Sequence, residues 1–351
     1  MAQDNDIKFM RRCLDLAGKA EGMTYPNPQV GAVIVHNDNI IGEGYHFRAG
    51  EPHAEVNAIN SVKNRELLGK AVLYVSLEPC SHYGKTPPCV ELIVSSGIKK
   101  VIVGTIDTSE KVAGKGIMFL KNAGCEVVTG VLENECRWIN RRFFTFNEKK
   151  RPYIILKWAQ SVDGYLDYER EKSPSKKPVW ITGNPERVLV HRWRAAEQAI
   201  LAGAGTIRSD NPQLNVRYWT GTDPVRVILS RSGIFDRESA LFRTNGTNIV
   251  FTGNDMINIT HSDVVKLNNN TSSASQVAGY LHGKGIQSVL VEGGAGVLNH
   301  FISEDLWDEA RIFTGKHSFR KGVRAPDMTG RILMHSEFAL SNLDVVLNIR
   351  A

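Results

Sequence analysis

At 351 residues the chain is long enough for two domains of ordinary size, and 42% apolar with 23% charged residues is the composition of a soluble globular protein with ample core. A net charge of +6 is mild for this length; it suits anionic small molecules and argues weakly for nucleic acid. The polar, acidic start over residues 1–6 has no signal-peptide apolar region, and no apolar run reaches membrane-spanning length.

Asp4-Asn5 can cap a helix running to about residue 18, with Ile7, Met10, Leu14 and Ala17 on one face. The turn Tyr25-Pro26-Asn27-Pro28 leads into an apolar strand over 30–35, and Asn37-Asp38-Asn39 turns it back through 40–46 as a β-hairpin. After Pro52, an amphipathic run opens at His53-Ala54-Glu55 and extends to about 62. An apolar strand over 71–77 ends in Pro79-Cys80. Pro87-Pro88 starts another helix, since proline is tolerated where the amide has no intrahelical partner. Cys89 then falls on the first turn of a helix over 90–96, where the positive helix end favours a thiolate. A strand over 100–104, a helix near 116–122, a strand over 125–131 and a basic helix from about 133 follow. This alternation predicts a three-layer α/β domain.

His53, Cys80 and Cys89 are three ligands for a tetrahedral zinc with its fourth position open to water. Glu55 lies two residues from His53, close enough to reach that water without ligating the metal. Zinc lowers the pKa of a bound water from about 15.7 to roughly 7, and a free carboxylate can then shuttle its proton. A His-x-Glu followed by Pro-Cys and a second Cys is the signature of zinc-dependent deaminases. Their usual form has two residues between the cysteines; here eight intervene, residues 81–88. A structural zinc knot, closed by His82 as a fourth ligand, is the competing interpretation, but a knot has no need of Glu55. The remaining cysteines, Cys13, Cys125 and Cys136, show no disulfide framework and point to a reduced, cytoplasmic protein.

The charged stretch Glu148-Lys149-Lys150-Arg151-Pro152 marks a boundary between domains over 1–148 and 149–351. A strand over 153–157 reaches a turn at Ser161-Val162-Asp163-Gly164, and the polar stretch 167–177 reads as a mobile loop. Trp180-Ile181-Thr182 precedes a helix over 185–196 capped by Asn184. Strands over 199–202, 225–229, 248–251 and 288–291, with helical patterns near 275–282 and 297–302, predict a doubly wound sheet. Such a sheet binds ligands at the carboxyl ends of its strands. Gly203-Ala204-Gly205-Thr206, Ser230-Arg231-Ser232 and Glu292-Gly293-Gly294-Ala295-Gly296 fall at such ends. Glycines between strand and helix let backbone amides approach a phosphate, although no G-x-G-x-x-G is present. Arg231 stands where an NAD enzyme places an acidic residue, which favours a 2′-phosphate and hence NADP.

These features resemble the cytidine-deaminase-like fold, and in particular the bifunctional riboflavin-biosynthesis deaminase/reductase family. Asn27-Pro28-x-Val30-Gly31, His53-Ala54-Glu55, Glu78-Pro79-Cys80-Ser81-His82 and Thr86-Pro87-Pro88-Cys89 match its deaminase half, in which the eight-residue gap is usual. Lys157, Asp163-Gly164, Trp180-Ile181-Thr182, Arg194-Ala195, Gly205-Thr206, Asp210-Asn211-Pro212-x-Leu214-x-Val216-Arg217 and Glu292-Gly293-Gly294 resemble its reductase half, of dihydrofolate-reductase-like fold. The resemblance implies Zn2+ and NADPH as cofactors, with Glu55 as catalytic base and acid. It implies that Asn27 and His46 contact the pyrimidine, and that His82 and Lys85 approach its phosphate. Gln160, Trp180, Thr206, Asp210, Arg231, Gly294, Ala295, Gly296 and Val297 would hold NADPH. Lys157, Arg194, Leu214, Arg217 and Glu292 would hold the ribosylaminouracil phosphate, the two arginines by forked hydrogen bonding. Pro178 replaces a substrate-binding serine, and Arg231 a cofactor-binding one. The expected partners are phosphorylated pyrimidines and further copies of the chain in a homo-oligomer, with no nucleic acid and no membrane. The rival assignments are a nucleoside or tRNA deaminase fused to an unrelated NADP-binding domain, and a metal-stapled nucleic-acid-binding protein.

Overall fold

A computed structural model describes residues 4–83, 87–109, 112–168, 180–234, 236, 238–254, 259 and 262–350. Lys85, Pro178 and most of the stretch 167–177 lie outside the described residues. The chain forms two compact units, Met1–Lys150 and Arg151–Ala351. Among the described residues no helix is long and apolar enough to cross a membrane.

The first unit opens with α1 (Asp4–Gly18), β1 (Gly31–His36), β2 (Asn39–Tyr45), α2 (Ala54–Ser61), a 3-10 turn (Arg65–Lys70) and β3 (Val72–Leu77). It continues with α3 (Cys89–Ser95), β4 (Lys100–Thr105), α4 (Lys115–Asn122), β5 (Glu126–Thr129), α5 (Glu133–Ile139) and α6 (Arg141–Lys149). The sheet order is β2-β1-β3-β4-β5, parallel from β3 to β5 and antiparallel at β1. Side chains two apart point to the same face of a strand, and the sequence exploits this. Ile34, Leu73, Val75, Val101 and Val103 pack with Ala58 and Ile59 of α2 and Val90 and Ile93 of α3. Val33, Val35, Tyr74 and Ile102 face Phe9, Met10 and Cys13 of α1 and Cys136 of α5. The three layers follow from that division.

Glu148 and Lys149 finish α6, Lys150 ends it in left-handed backbone (φ 53°), and Arg151 begins the second unit by clasping Asp308 at 2.5 and 2.8 Å. Next come β6 (Tyr153–Gln160), β7 (Tyr165–Tyr168), α7 (Asn184–Ala196), β8 (Ala199–Gly203), α8 (Ala204–Asp210), β9 (Val225–Ser230), α9 (Ala240–Arg243), β10 (Asn248–Thr252) and β11 (Ser262–Lys266). The remainder is α10 (Ser273–Gly283), β12 (Ser288–Val291), α11 (Ala295–Ser303), β13 (Glu309–Gly315), β14 (Gly322–Arg324), β15 (Arg331–Glu337) and β16 (Ser341–Leu347).

The main sheet runs β11-β10-β9-β8-β12-β6-β13-β16-β15. It is parallel from β11 to β13, with β11 and β13 joining the five strands expected from sequence, and the last two strands add an antiparallel flank. Val277 and Leu281 of α10 and Leu298 and Phe301 of α11 cover one face; Val190 and Trp193 of α7 and Ile207 of α8 pack on the other. β12 inserts between β6 and β8, so the chain departs to opposite sides of it, a switch point of the kind at which such sheets bind ligands. Two local expectations change. Asn184 is the first residue of α7, not its cap: Gly183 takes that place, and its N–H donates to the Glu186 carboxylate at 3.1 Å, the half of a capping box that needs no cap side chain. Asp167 and Tyr168 belong to β7, which pairs with β14, rather than to a loop.

Candidate active sites

His53 precedes α2 in extended backbone, Cys80 follows β3, and Cys89 opens α3 behind Pro88, which is the cap residue itself. These three ends converge. His53 Nδ1 lies 3.5 Å from Cys80 Sγ and 3.3 Å from Cys89 Sγ, and all three donor atoms fall within 4.8 Å of one another. Tetrahedral zinc bonds of about 2.0 Å to nitrogen and 2.3 Å to sulfur put such donors about 3.5 Å apart, so the cluster has the dimensions that zinc requires. Charge agrees with geometry. A hydrogen bond from Cys89, with His53 assisting, draws Cys80 down to about 4, while Cys80 and burial push Cys89 up. The two sulfurs share one negative charge, and a dication lets both ionise.

Glu55, in the first turn of α2, is buried and is not one of the donors. Burial and then the charge on Cys80 push its carboxyl up to about 7, with His53 opposing. A carboxyl near neutrality can both accept and return a proton. His82 is exposed and does not join the cluster, so among the described residues no fourth protein donor closes it. Asn27 and His46 meet beside it: Asn27 Nδ2 is 3.1 Å from His46 Nε2, and the His46 ring stands edge-on to His53 at 5.2 Å. The Pro52 carbonyl, 3.2 Å from His46 Nδ1, can only accept, so Nδ1 carries the proton and Nε2 accepts from Asn27. Burial lowers the His46 pKa and keeps the ring neutral.

Sequence reasoning passed over Glu78. Its buried carboxylate accepts four backbone N–H groups: Gly116 at 2.8 Å and Ile117 at 3.2 Å on Oε1, Gly114 at 3.0 Å and Asp107 at 3.2 Å on Oε2. This ties the start of α4 to the Glu78-Pro79-Cys80 corner. A Cβ at residue 116 would lie 2.1 Å from the Pro79 carbonyl oxygen, so only glycine permits the approach. The available signal was the acid preceding Pro-Cys together with Gly114-x-Gly116.

In the second unit, Lys157 of β6, Glu292 just past β12 and Arg194 of α7 meet beside that switch point. Arg194 donates through Nε to Glu292 Oε1 at 2.7 Å and through Nη2 to Oε2 at 2.9 Å, and Lys157 Nζ reaches Oε2 at 3.4 Å. Burial works against ionisation of Glu292, yet Arg194 and then Lys157 hold it down at about 2. The Arg194 fork expected on a phosphate is therefore engaged by Glu292, and its Nη1 donates to the Asn215 carbonyl at 3.1 Å. Arg217 keeps an exposed head, held by the side chains of Gln213 and Asn215. The Leu214 side chain is buried with Ile200 and Ala202, so only its backbone is available to a ligand.

On the cofactor side, the Gly294 N–H donates to Thr206 Oγ1 at 2.9 Å, which joins the α8 turn to the cap of α11. Ala295, Gly296 and Val297 form the first turn of that helix, and Asp210 ends α8. Gln160, at the end of β6, accepts from Trp158 Nε1 at 2.8 Å. Trp180 is 59% exposed, with the Arg187 guanidinium 3.9 Å from its ring centre. Arg231 is exposed just after β9, and its carbonyl accepts from the Gly253 N–H. No hydrogen bond among the described residues ties Trp180 or Arg231 to either cluster.

Residues 3–105 match the cytidine and deoxycytidylate deaminase zinc-binding region, and residues 152–315 match the RibD C-terminal domain. The chain is 38% identical over 346 residues to the riboflavin biosynthesis protein RibD of Aquifex aeolicus, covering 96% of this chain and 94% of that one. It is 41% identical over 315 residues to the RibD of Bacillus amyloliquefaciens, covering 87% and 83%. Its fold is similar to that of a crystallised diaminohydroxyphosphoribosylaminopyrimidine deaminase/5-amino-6-(5-phosphoribosylamino)uracil reductase from Thermotoga maritima. The TM-score is 0.88 at 38% identity, over 98% of this chain and 99% of that one. The chain belongs to the RibD family of riboflavin-biosynthesis enzymes, with a zinc-dependent deaminase in its first unit and an NADPH-dependent reductase in its second.

Proposed function

We propose that the two sites act in succession on one phosphorylated pyrimidine. The first removes ammonia from diaminohydroxyphosphoribosylaminopyrimidine; the second reduces the ribosyl chain of 5-amino-6-(5-phosphoribosylamino)uracil to ribityl. The observation that carries this reading is the buried, unligated Glu55 beside three converging zinc donors.

Zinc held by His53, Cys80 and Cys89 supplies the Lewis acidity that makes a water nucleophilic at neutral pH. Glu55 takes the proton from the attacking water and delivers it to the departing ammonia, acting as base and then as acid. Asn27 and the neutral His46 orient the pyrimidine, and His82 with Lys85 receives the phosphate. When bound in the second site, NADPH would supply the hydride that reduces the open-chain carbonyl form of the ribose. Gln160, Trp180, Thr206, Asp210, Arg231 and residues 294–297 hold that cofactor. Lys157, Arg194, Glu292, Arg217 and the Leu214 backbone hold the substrate. Lys157, 3.4 Å from Glu292 among the substrate-holding residues, is the proton donor in this reading.

None of the five cysteines is paired in a disulfide, which supports a cytoplasmic location. The edge strand β15 exposes Ile332, Leu333 and Met334, an apolar row that supports a homo-oligomer. The decisive experiment measures zinc content of the purified full chain, then ammonia release and NADPH oxidation with the pyrimidine substrate. One zinc per chain with both activities is expected. Ammonia release that survives complete chelation, or NADPH oxidation indifferent to the pyrimidine, overturns the reading.

A further inference from the structure

Helix α7 carries Arg187, His191 and Arg194 at intervals of four and three, on a single stripe. All three touch one segment of chain. Arg194 Nη1 donates to the Asn215 carbonyl at 3.1 Å, and His191 Nδ1 accepts the Arg217 backbone N–H at 2.9 Å. The Tyr218 ring stands edge-on to His191 at 4.9 Å, and Arg187 lies 5.8 Å from its centre. Leu214 enters this segment in left-handed backbone (φ 52°) with its side chain buried, and Asp223 accepts the Val216 N–H at 2.7 Å. A leucine held in that conformation costs about 1–2 kcal/mol, so the segment is held by its surroundings rather than by its own preference.

His191 is the centre of this arrangement and has no part in the assignments above. It is 2% exposed. A backbone N–H can only donate, so Nδ1 must be bare and the ring must carry its proton on Nε2. Burial, with Arg194, Arg217 and Lys157 nearby and only Glu292 opposing, pushes the ring down to about 4, so the acceptor persists at neutral pH.

We infer that His191 is a positioning residue of the reductase site: its Nδ1 fixes the backbone of Arg217 so that the Arg217 guanidinium grips the substrate phosphate. The inference rests on the proposed assignment of Arg217 to that phosphate. A purely structural histidine would fill space against Tyr218; a positioning histidine is needed for its acceptor. Two substitutions separate these roles. His191→Phe keeps a ring against Tyr218 and removes the acceptor, whereas His191→Asn removes the ring and places an amide oxygen where Nδ1 stands.

The test uses the full chain, with ammonia release and the KM for NADPH as controls for folding. The KM of the reductase is compared for 5-amino-6-(5-phosphoribosylamino)uracil and its dephosphorylated form. His191→Phe is expected to raise the KM of the phosphorylated substrate about tenfold without changing that of the dephosphorylated one. His191→Asn restores most of the preference, and His191→Phe adds little to Arg217→Ala. The reverse order, with Phe tolerated and Asn damaging, shows a packing role and overturns the inference. An Arg217→Ala enzyme that keeps full preference for the phosphate overturns the underlying assignment instead. Loss of preference in Arg217→Ala but in neither His191 variant removes His191 alone.

Discussion

Arg194 and Glu292, 98 positions apart in sequence, face each other through two hydrogen bonds of 2.7 and 2.9 Å, with both side chains largely buried. Lys157 completes the cluster from the neighbouring strand. Removing one member of a buried ionic group leaves the others uncompensated, at a cost of about 3–5 kcal/mol. Glu292→Gln is expected to destabilise the second unit by that order, lowering its unfolding midpoint, and to abolish NADPH oxidation. Ammonia release should persist. Calorimetry with both activity assays checks this, and an unaltered second transition would contradict it.

The same carboxyl sets an acid limit. Glu292 is held at about 2 against an ordinary value of 4.5. A carboxyl depressed on folding contributes its full stability above the unfolded value, and that contribution is lost as pH falls toward the folded one. The denaturant midpoint of the second unit should therefore decline between about pH 4.5 and pH 2. In Glu292→Gln the decline is shallower, and identical acid profiles for the two proteins would count against the assignment.

Glu55→Gln keeps the size of the side chain and removes its ability to carry a proton. General acid–base groups contribute about 10²–10⁴-fold, so ammonia release should fall by that range while zinc content stays unchanged. The reductase step, supplied with its own substrate, should run normally. Atomic absorption paired with an ammonia assay decides the matter, and retained deamination refutes the role.

Glu78→Gln places an amide NH₂ against backbone N–H donors that now face a carboxylate. A hydrogen bond to a charged group is worth about 1.5–3 kcal/mol, and at least one should be lost outright. The first unit should melt earlier and release zinc at lower chelator concentration. Thermal scans along a chelator series provide the readout, and superimposable curves would show that the brace is dispensable.

Arg231→Ala should raise the KM for NADPH and leave NADH use nearly unchanged, since only NADPH carries the 2′-phosphate. Equal losses with the two cofactors would remove Arg231 from that role.

The deaminase chemistry was legible because its residues lie in short motifs at element ends: His53 before α2, Cys80 after β3, Cys89 at the start of α3. Five of the second unit's parallel strands, β6, β8, β9, β10 and β12, were legible as apolar runs, such as 154–156 and 289–291, whereas β11 and β13 were not. β15 was not, because an edge strand exposed at nearly every residue leaves no alternation to read. The role of Glu78 depends on amides up to 39 positions downstream, and the engagement of Arg194 on a glutamate 98 positions away. No local pattern encodes such distances. The Asn184 cap failed by one residue: Gly183 holds the cap position, with its own N–H donating to Glu186.

The three proposed zinc donors come from separate parts of the chain, with Cys80 27 positions after His53 and Cys89 9 positions after Cys80. An unfolded chain does not hold them together, so metal affinity is also folding free energy for the first unit. Well above the dissociation constant, each tenfold rise in free zinc adds about 1.4 kcal/mol to its stability. Among the described residues no second group of His, Cys, Asp or Glu is placed to hold a metal, and Lys157, Glu292 and Arg194 are held by one another. Starving a cell of this metal would therefore stall flavin production at its earlier reaction and leave the later one competent, with the starting pyrimidine accumulating behind the block.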